Sequence, residues 1–132
     1  MREITTHRTG SDLNDNIRVS ALDGPGPGGA SHEYAVVLVK GTETISGTVG
    51  DTPVLLEHII FQKGPVKESG FNGVSDEALL AILIDRLEGF QSGKFACDEN
   101  ERTLDHLRAA LEASHQRTRA RQARGVEGTH EV

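Results

Sequence analysis

The sequence predicts an α+β fold, a small antiparallel β-sheet followed by an antiparallel helical hairpin. Three observations carry this reading. Short runs rich in β-branched residues, such as Tyr34–Val39, recur up to residue 62 and are separated by Gly- and Pro-rich breaks. From Ser75 onward the apolar spacing switches to three and four, the period of a helix. The two helical stretches are joined by a connection of a few residues, which forces them antiparallel.

Residues 1–14 are polar and lack periodicity, and are expected to form a mobile arm. The β region then spans 15–66. Ile17, Val19 and Ala21 alternate weakly and mark a first short strand. Gly24-Pro-Gly-Pro-Gly-Gly-Ala-Ser31 cannot hold regular structure. His32–Lys40 is a second strand, Gly41–Thr52 a loose hairpin connection or an added short strand, and Val54–Gln62 a further strand. Lys63–Val74 reads as a loop.

The helical hairpin spans 75–124. Ser75 is placed to cap the first helix, with Asp76 and Glu77 in the first turn, where negative charge suits the helix dipole. Leu79, Leu80, Leu83, Leu87 and Phe90 share one face. Ala78, Ile82 and Ile84 widen that face beyond what one partner covers, which predicts burial on two sides and self-association. Ser92-Gly93 ends the helix. Asp98 and Glu101 have the spacing of a capping box for the second helix, whose stripe is Leu104, Leu107 and Leu111. Gly125 stops it, leaving residues 125–132 as a tail.

Composition narrows the function. A length of 132 residues fits one domain, and 36% hydrophobic residues with four Phe, one Tyr and no Trp make a modest core. The net charge of -6 argues against long nucleic acid as a partner. That charge is uneven: residues 113–132 hold four Arg against two Glu. Local anion binding therefore suits a small phosphorylated ligand. Cys97 is alone, so no intrachain disulfide is expected, and no apolar stretch is long enough to span a membrane. A cytoplasmic location is the expectation. The six histidines are scattered without metal-ligand spacing, and no cofactor motif is present: Gly24–Gly29 lacks the Lys-Ser/Thr of a phosphate cradle and precedes a strand.

Several side chains could carry binding. Phe61 is either the last inward residue of a strand or a stacking ring, whereas Phe71, between Gly70 and Asn72, is less naturally core. An exposed aromatic can stack on a base for roughly 1–3 kcal/mol. Gln62 and Asn72 offer carboxamides that could read a purine edge or ribose hydroxyl, although Asn72-Gly73 also has the makings of a plain turn. Arg117, Arg121 and Arg124 fall on one helix face, with Arg119 pointing away. Guanidinium forks bind phosphate oxygens in pairs, and the same residues could simply complement the helix dipole. Arg86 is a surface residue or faces the second helix or a partner chain. A catalytic reading has only His58 as a lone base, and Ser75 is better explained as a cap.

The run FQKGPVKESGFNGVSDEALLAILIDRLEGFQSG, together with RTRARQARGVEGTH, resembles a family of small phage proteins that counter bacterial Thoeris and CBASS defence by sequestering the nucleotide second messenger. The resemblance covers Val54 to His130, with weaker echoes in NDNIRV and SHEYAV. It implies a binding protein without catalytic activity, a shared helical hairpin and a homo-oligomer, dimer or hexamer. The implied ligand is a cyclic ADP-ribose-like signalling nucleotide, a glycocyclic ADP-ribose isomer. Phe61, Gln62, Asn72 and the face Arg117, Arg121, Arg124 would line its pocket. Some relatives take cyclic di- or trinucleotides in a second pocket. This chain departs from the family pattern at Asp98–Leu111, where Asp98 stands for a basic residue and Asp105-His106 for Thr-Lys. An acidic side chain facing phosphate is repulsive, which weighs against the second pocket. The alternatives are a hydrolase of such a messenger and a regulatory module in which the hairpin only mediates protein contacts.

Overall fold

The computed structural model describes residues 1–39, 43–44, 47–48 and 53–132. The chain divides into two compact units, Met1–Phe61 and Gln62–Val132. The first is β-rich and the second carries the two long helices, as the α+β reading requires.

In the first unit, β1 (Arg2–Ile4), β2 (Ile17–Ala21), β3 (Glu33–Leu38) and β6 (Val54–Ile60) form an antiparallel sheet in the order β1-β2-β3-β6. Between β3 and β6 in sequence, β4 (Glu43–Thr44) pairs with β5 (Gly47–Thr48). The rest of the expected connection 41–52 lies outside the described residues. A register shift falls between Val36, opposite Glu57, and Val37, opposite Leu55. Among the described residues, Ala21 and Leu38 are the buried apolar side chains of this unit.

The first fourteen residues are not the free arm the sequence suggested. Ile4 lies opposite Val19 in β1–β2 pairing, and His7 Nε2 bonds the Ile17 carbonyl at 2.6 Å. Ser11 then caps a single turn, α1 (Asp12–Asp15). A three-residue strand is too short to show alternation, which is why the pattern hid it.

Asp23 closes the Gly/Pro loop that links β2 to β3. Its carboxylate accepts the backbone N–H of His32 and of Glu33 at 3.0 Å. Partial burial pushes this carboxyl up, but the Glu33 and His32 donors outweigh it and hold the group below the ordinary carboxylate range.

In the second unit, one turn of helix, α2 (Val66–Ser69), interrupts the expected loop. The hairpin consists of α3 (Asp76–Gln91) and α4 (Asp98–Ala123). Ser75 Oγ accepts the Ala78 N–H at 3.1 Å, as its capping role requires. The capping box at α4 does not form. Cys97 occupies the cap position, and the carboxamide of Gln91 reaches across the turn instead. Gln91 Oε1 accepts the Cys97 N–H, and Gln91 Nε2 donates to Glu101 Oε2. Asp98 lies one residue inside the helix and cannot play the cap.

Leu104 is fully buried and anchors the α4 seam, with Leu107 and Leu111 half-buried beside it. On α3 the half-buried apolar residues are Leu79, Leu80, Ile84 and Leu87. Leu83 and Phe90, expected on the inward face, are exposed, as is Ile82 at 63%. The wide apolar surface of α3 therefore splits into two stripes, and the hairpin covers one.

Candidate functional site

Gln62 and Asn72 stand ten residues apart and lock the loop between them. Gln62 Nε2 donates to the carbonyls of Gly64 and Gly70, at 3.1 and 2.7 Å. Its Oε1 accepts the Asn72 N–H at 3.0 Å. Asn72 in turn accepts from the Lys63 N–H and donates to the Lys63 carbonyl, both at 2.7 Å. The chain accepts this geometry because Gly64 and Gly70 take positive φ values of 82° and 70°. At Gly64 a Cβ would also sit 2.4 Å from Ser69 Oγ. The carboxamides that the sequence offered for reading a base edge are thus largely spent on the backbone. What the brace presents is Phe71, 90% exposed between two fixed residues.

Phe61 has a different environment. It lies in the first unit, half-buried, edge-on to Tyr34 with ring centroids 5.7 Å apart. Its N–H donates to the His32 carbonyl at 2.7 Å. Within that unit it behaves as a packing residue. His58, the lone base candidate, is held by Glu33 at 2.7 Å across the sheet.

The arginine cluster separates into distinct roles. Arg121 lies on the inward stripe, three residues after Thr118 and seven after Ser114, and its side chain is 12% exposed. Its guanidinium is filled by the segment that follows the helix. Nε donates to Glu127 Oε2 at 3.2 Å, Nη1 to the Glu131 carbonyl at 2.7 Å, and Nη2 to the carbonyls of Val126 and Thr129 at 2.9 and 3.1 Å. The segment is turned back onto Arg121 by the end of α4. Gly125 adopts φ +73°, its N–H bonds the Gln122 carbonyl, and the Val126 N–H bonds the Arg121 carbonyl. This is a Schellman stop, the geometry in which the orphan carbonyls of a helix end are satisfied by the residues just past it. Residues 125–132 are therefore not a loose tail. Gly128 O also accepts the Lys67 N–H at 3.3 Å, and His130 Nδ1 meets Glu68 at 3.0 Å, tying the segment to α2.

Arg124 donates to the Val132 carbonyl, and Arg119 pairs with Glu112 at 2.7 Å. Arg117 is exposed and makes no ion pair or side-chain hydrogen bond among the described residues. Arg86 lies over the Phe90 ring, 5.1 Å from its centroid, a cation–π pair on α3. Glu127, Thr129 and Glu68 were not singled out by the sequence. The signal that could have found them is the pair Gly125 and Gly128, both with positive φ, which turns the chain back within six residues of Arg121.

Among the described residues no group of three or more His, Cys, Asp or Glu side chains could hold a metal, and no helix is long and apolar enough to cross a membrane. The hairpin geometry meets its counterpart in a family model: residues 55–119 match the Acb2/Tad1 hairpin domain. Residues 55–119 are thus a hairpin domain of the Acb2/Tad1 kind. It is similar to Thoeris anti-defense 1 of Bacillus phage SBSphiJ7, 45% identical over 92 residues. That stretch is 70% of this chain and spans 65% of the relative's length. The Acb2/Tad1 match takes in Phe61, Gln62, Phe71, Asn72, Arg86 and Arg117, whereas Arg121 and Arg124 lie beyond it.

Proposed function

We propose that this chain is a phage counter-defence protein of the anti-Thoeris type. It binds a cyclic ADP-ribose-like nucleotide messenger and sequesters it without cleaving it, in the cytoplasm of the infected cell. The observation that carries the reading is the 45% identity to a protein named for opposing Thoeris, over a stretch longer than the hairpin. The side chains agree with it. A fixed, exposed Phe71 suits a purine face, and the exposed Arg117 suits a phosphate oxygen. Gln62 and Asn72 enter as the brace that aims Phe71, with one Asn72 N–H still free to meet a ligand. Oligomerisation as a dimer or hexamer belongs to the same reading, because Ile82, Leu83 and Phe90 stand exposed on α3.

The test is direct. The purified chain is incubated with extract from cells whose Thoeris signalling is active, washed, heated, and the released small molecules are identified by mass spectrometry. Recovery of an intact cyclic ADP-ribose isomer supports sequestration. Recovery of a linear product turns the reading to a hydrolase. Release of nothing removes the nucleotide reading and leaves a protein-contact module. Cyclic di- and trinucleotides are included as competitors, with weak binding expected because Asp98, Asp105 and His106 stand where basic or neutral residues suit phosphate.

A further inference from the structure

Arg121 carries a contradiction if it is to hold a phosphate. Four of its five N–H hydrogens already have acceptors, and all four acceptors lie on residues 126–131. One of them is a carboxylate, the group that most resembles a phosphate oxygen in charge. We propose that residues 126–131 act as a built-in competitor, with Glu127 as resident anion, so that an anionic ligand engages Arg121 only by displacing them. The inference rests on the proposed anion-binding role of the arginine face.

The chemistry of the segment suits exchange. Its bonds to Arg121 are carbonyls and one carboxylate, all of which can return to water without leaving a buried orphan on the segment itself. Glu127 is 42% exposed. Arg117, one turn before Arg121 and exposed, can meet the incoming anion before the segment leaves. Displacement has a second effect. The Gly128–Lys67 bond and the His130–Glu68 pair are lost with the segment, so α2 is released when the ligand binds. Entry of the anion would thereby be coupled to the loop that carries Phe71.

The experiment uses the full chain and inorganic pyrophosphate as probe, with nitrogen-15 NMR reading the Arg121 Nε–H and the Lys67 and Val126 amides. Pyrophosphate is expected to shift the Arg121 signal and to expose the Lys67 amide to hydrogen exchange at the same concentration. Glu127→Gln keeps the shape and removes the charge. It should tighten pyrophosphate roughly threefold, the size of a half-exposed carboxylate–guanidinium pair. If pyrophosphate shifts Arg117 while Arg121 and the Lys67 amide stay unchanged, the competitor is refuted and the anion reading stands. If neither the native chain nor Glu127→Gln shows any arginine shift, the anion reading of this face fails and the competitor falls with it. An unchanged affinity in a folded Glu127→Gln protein also overturns the proposal.

Discussion

The Asn72 N–H donates to Gln62 Oε1 at 3.0 Å, while the carboxamide of Asn72 closes on both backbone groups of Lys63. Two amide side chains thus add to the backbone bond from the Gln62 N–H to the Val74 carbonyl and brace the loop between them. A loop held this way loses little further freedom when a ligand arrives, which favours affinity.

Asn72→Ala should therefore loosen the loop before it affects the hairpin. The substitution removes the two side-chain hydrogen bonds to Lys63 in a largely exposed setting and keeps the backbone N–H bond to Gln62, so a stability loss of about 0.5–1.5 kcal/mol is expected. Hydrogen exchange should accelerate at Lys63 and Asn72 and stay unchanged at Leu104. Equal acceleration at both places would show that the brace is not local.

Arg121→Ala should destabilise the second unit by roughly 1–3 kcal/mol, since four hydrogen bonds from one charged donor are lost together. A helix-end arginine is ordinarily close to neutral, and the residue pattern around Arg121 marks it as nothing else. Arg119→Ala, whose pair with Glu112 is exposed, should change stability by less than about 0.5 kcal/mol. Urea midpoints at constant slope distinguish the two.

Phe71→Ala should leave the fold intact, because the ring is 90% exposed. Messenger binding should weaken by roughly 1–3 kcal/mol if the ring stacks on a base. Calorimetry with the recovered messenger is the check, and unaltered affinity would remove Phe71 from the site.

Ile82→Glu should dissociate the assembly without unfolding the hairpin, since Ile82 lies on the α3 stripe that α4 leaves uncovered. Light scattering at tens of micromolar should report a larger particle for the native chain than for the variant. A native monomer under those conditions would refute self-association through this stripe.

The sheet should show an acid-sensitive component from Asp23. Its folded pKa is lowered, so the stabilisation is fully present above the unfolded value, about 3.9, and is lost as pH falls through the lower folded value. Asp23→Asn should remove that component, giving a flatter loss of stability below about pH 4. Parallel curves for the two proteins would show that the loop clamp is not ionic.

Elements that repeat a period were legible in the sequence. The α3 boundary at Ser75 followed from a cap residue, two acids and an apolar repeat, and the structure places the cap where that pattern put it. β3 and β6 followed from β-branched runs. What depended on a single partner was not legible. β1 needs β2 beside it, and the cap of α4 is supplied by Gln91 from the other helix. The candidate site divides the same way. Exposure of Phe71 could be inferred from its flanking Gly70 and Asn72. The capture of Arg121 by carbonyls could not, because carbonyls belong to every residue and leave no mark in a sequence.

The two hairpin helices differ in length, 16 residues against 26. Since they share the turn at 92–97, the excess of α4, roughly 15 Å at 1.5 Å per residue, accumulates at the opposite end. The arginines ride on that end as on a lever whose pivot is the turn. Removing one residue from the first turn of α4 would swing their azimuth by about 100° and draw them back by about 1.5 Å. The aim of the arginine face is thus set at the opposite end of α4, by side chains that touch none of it.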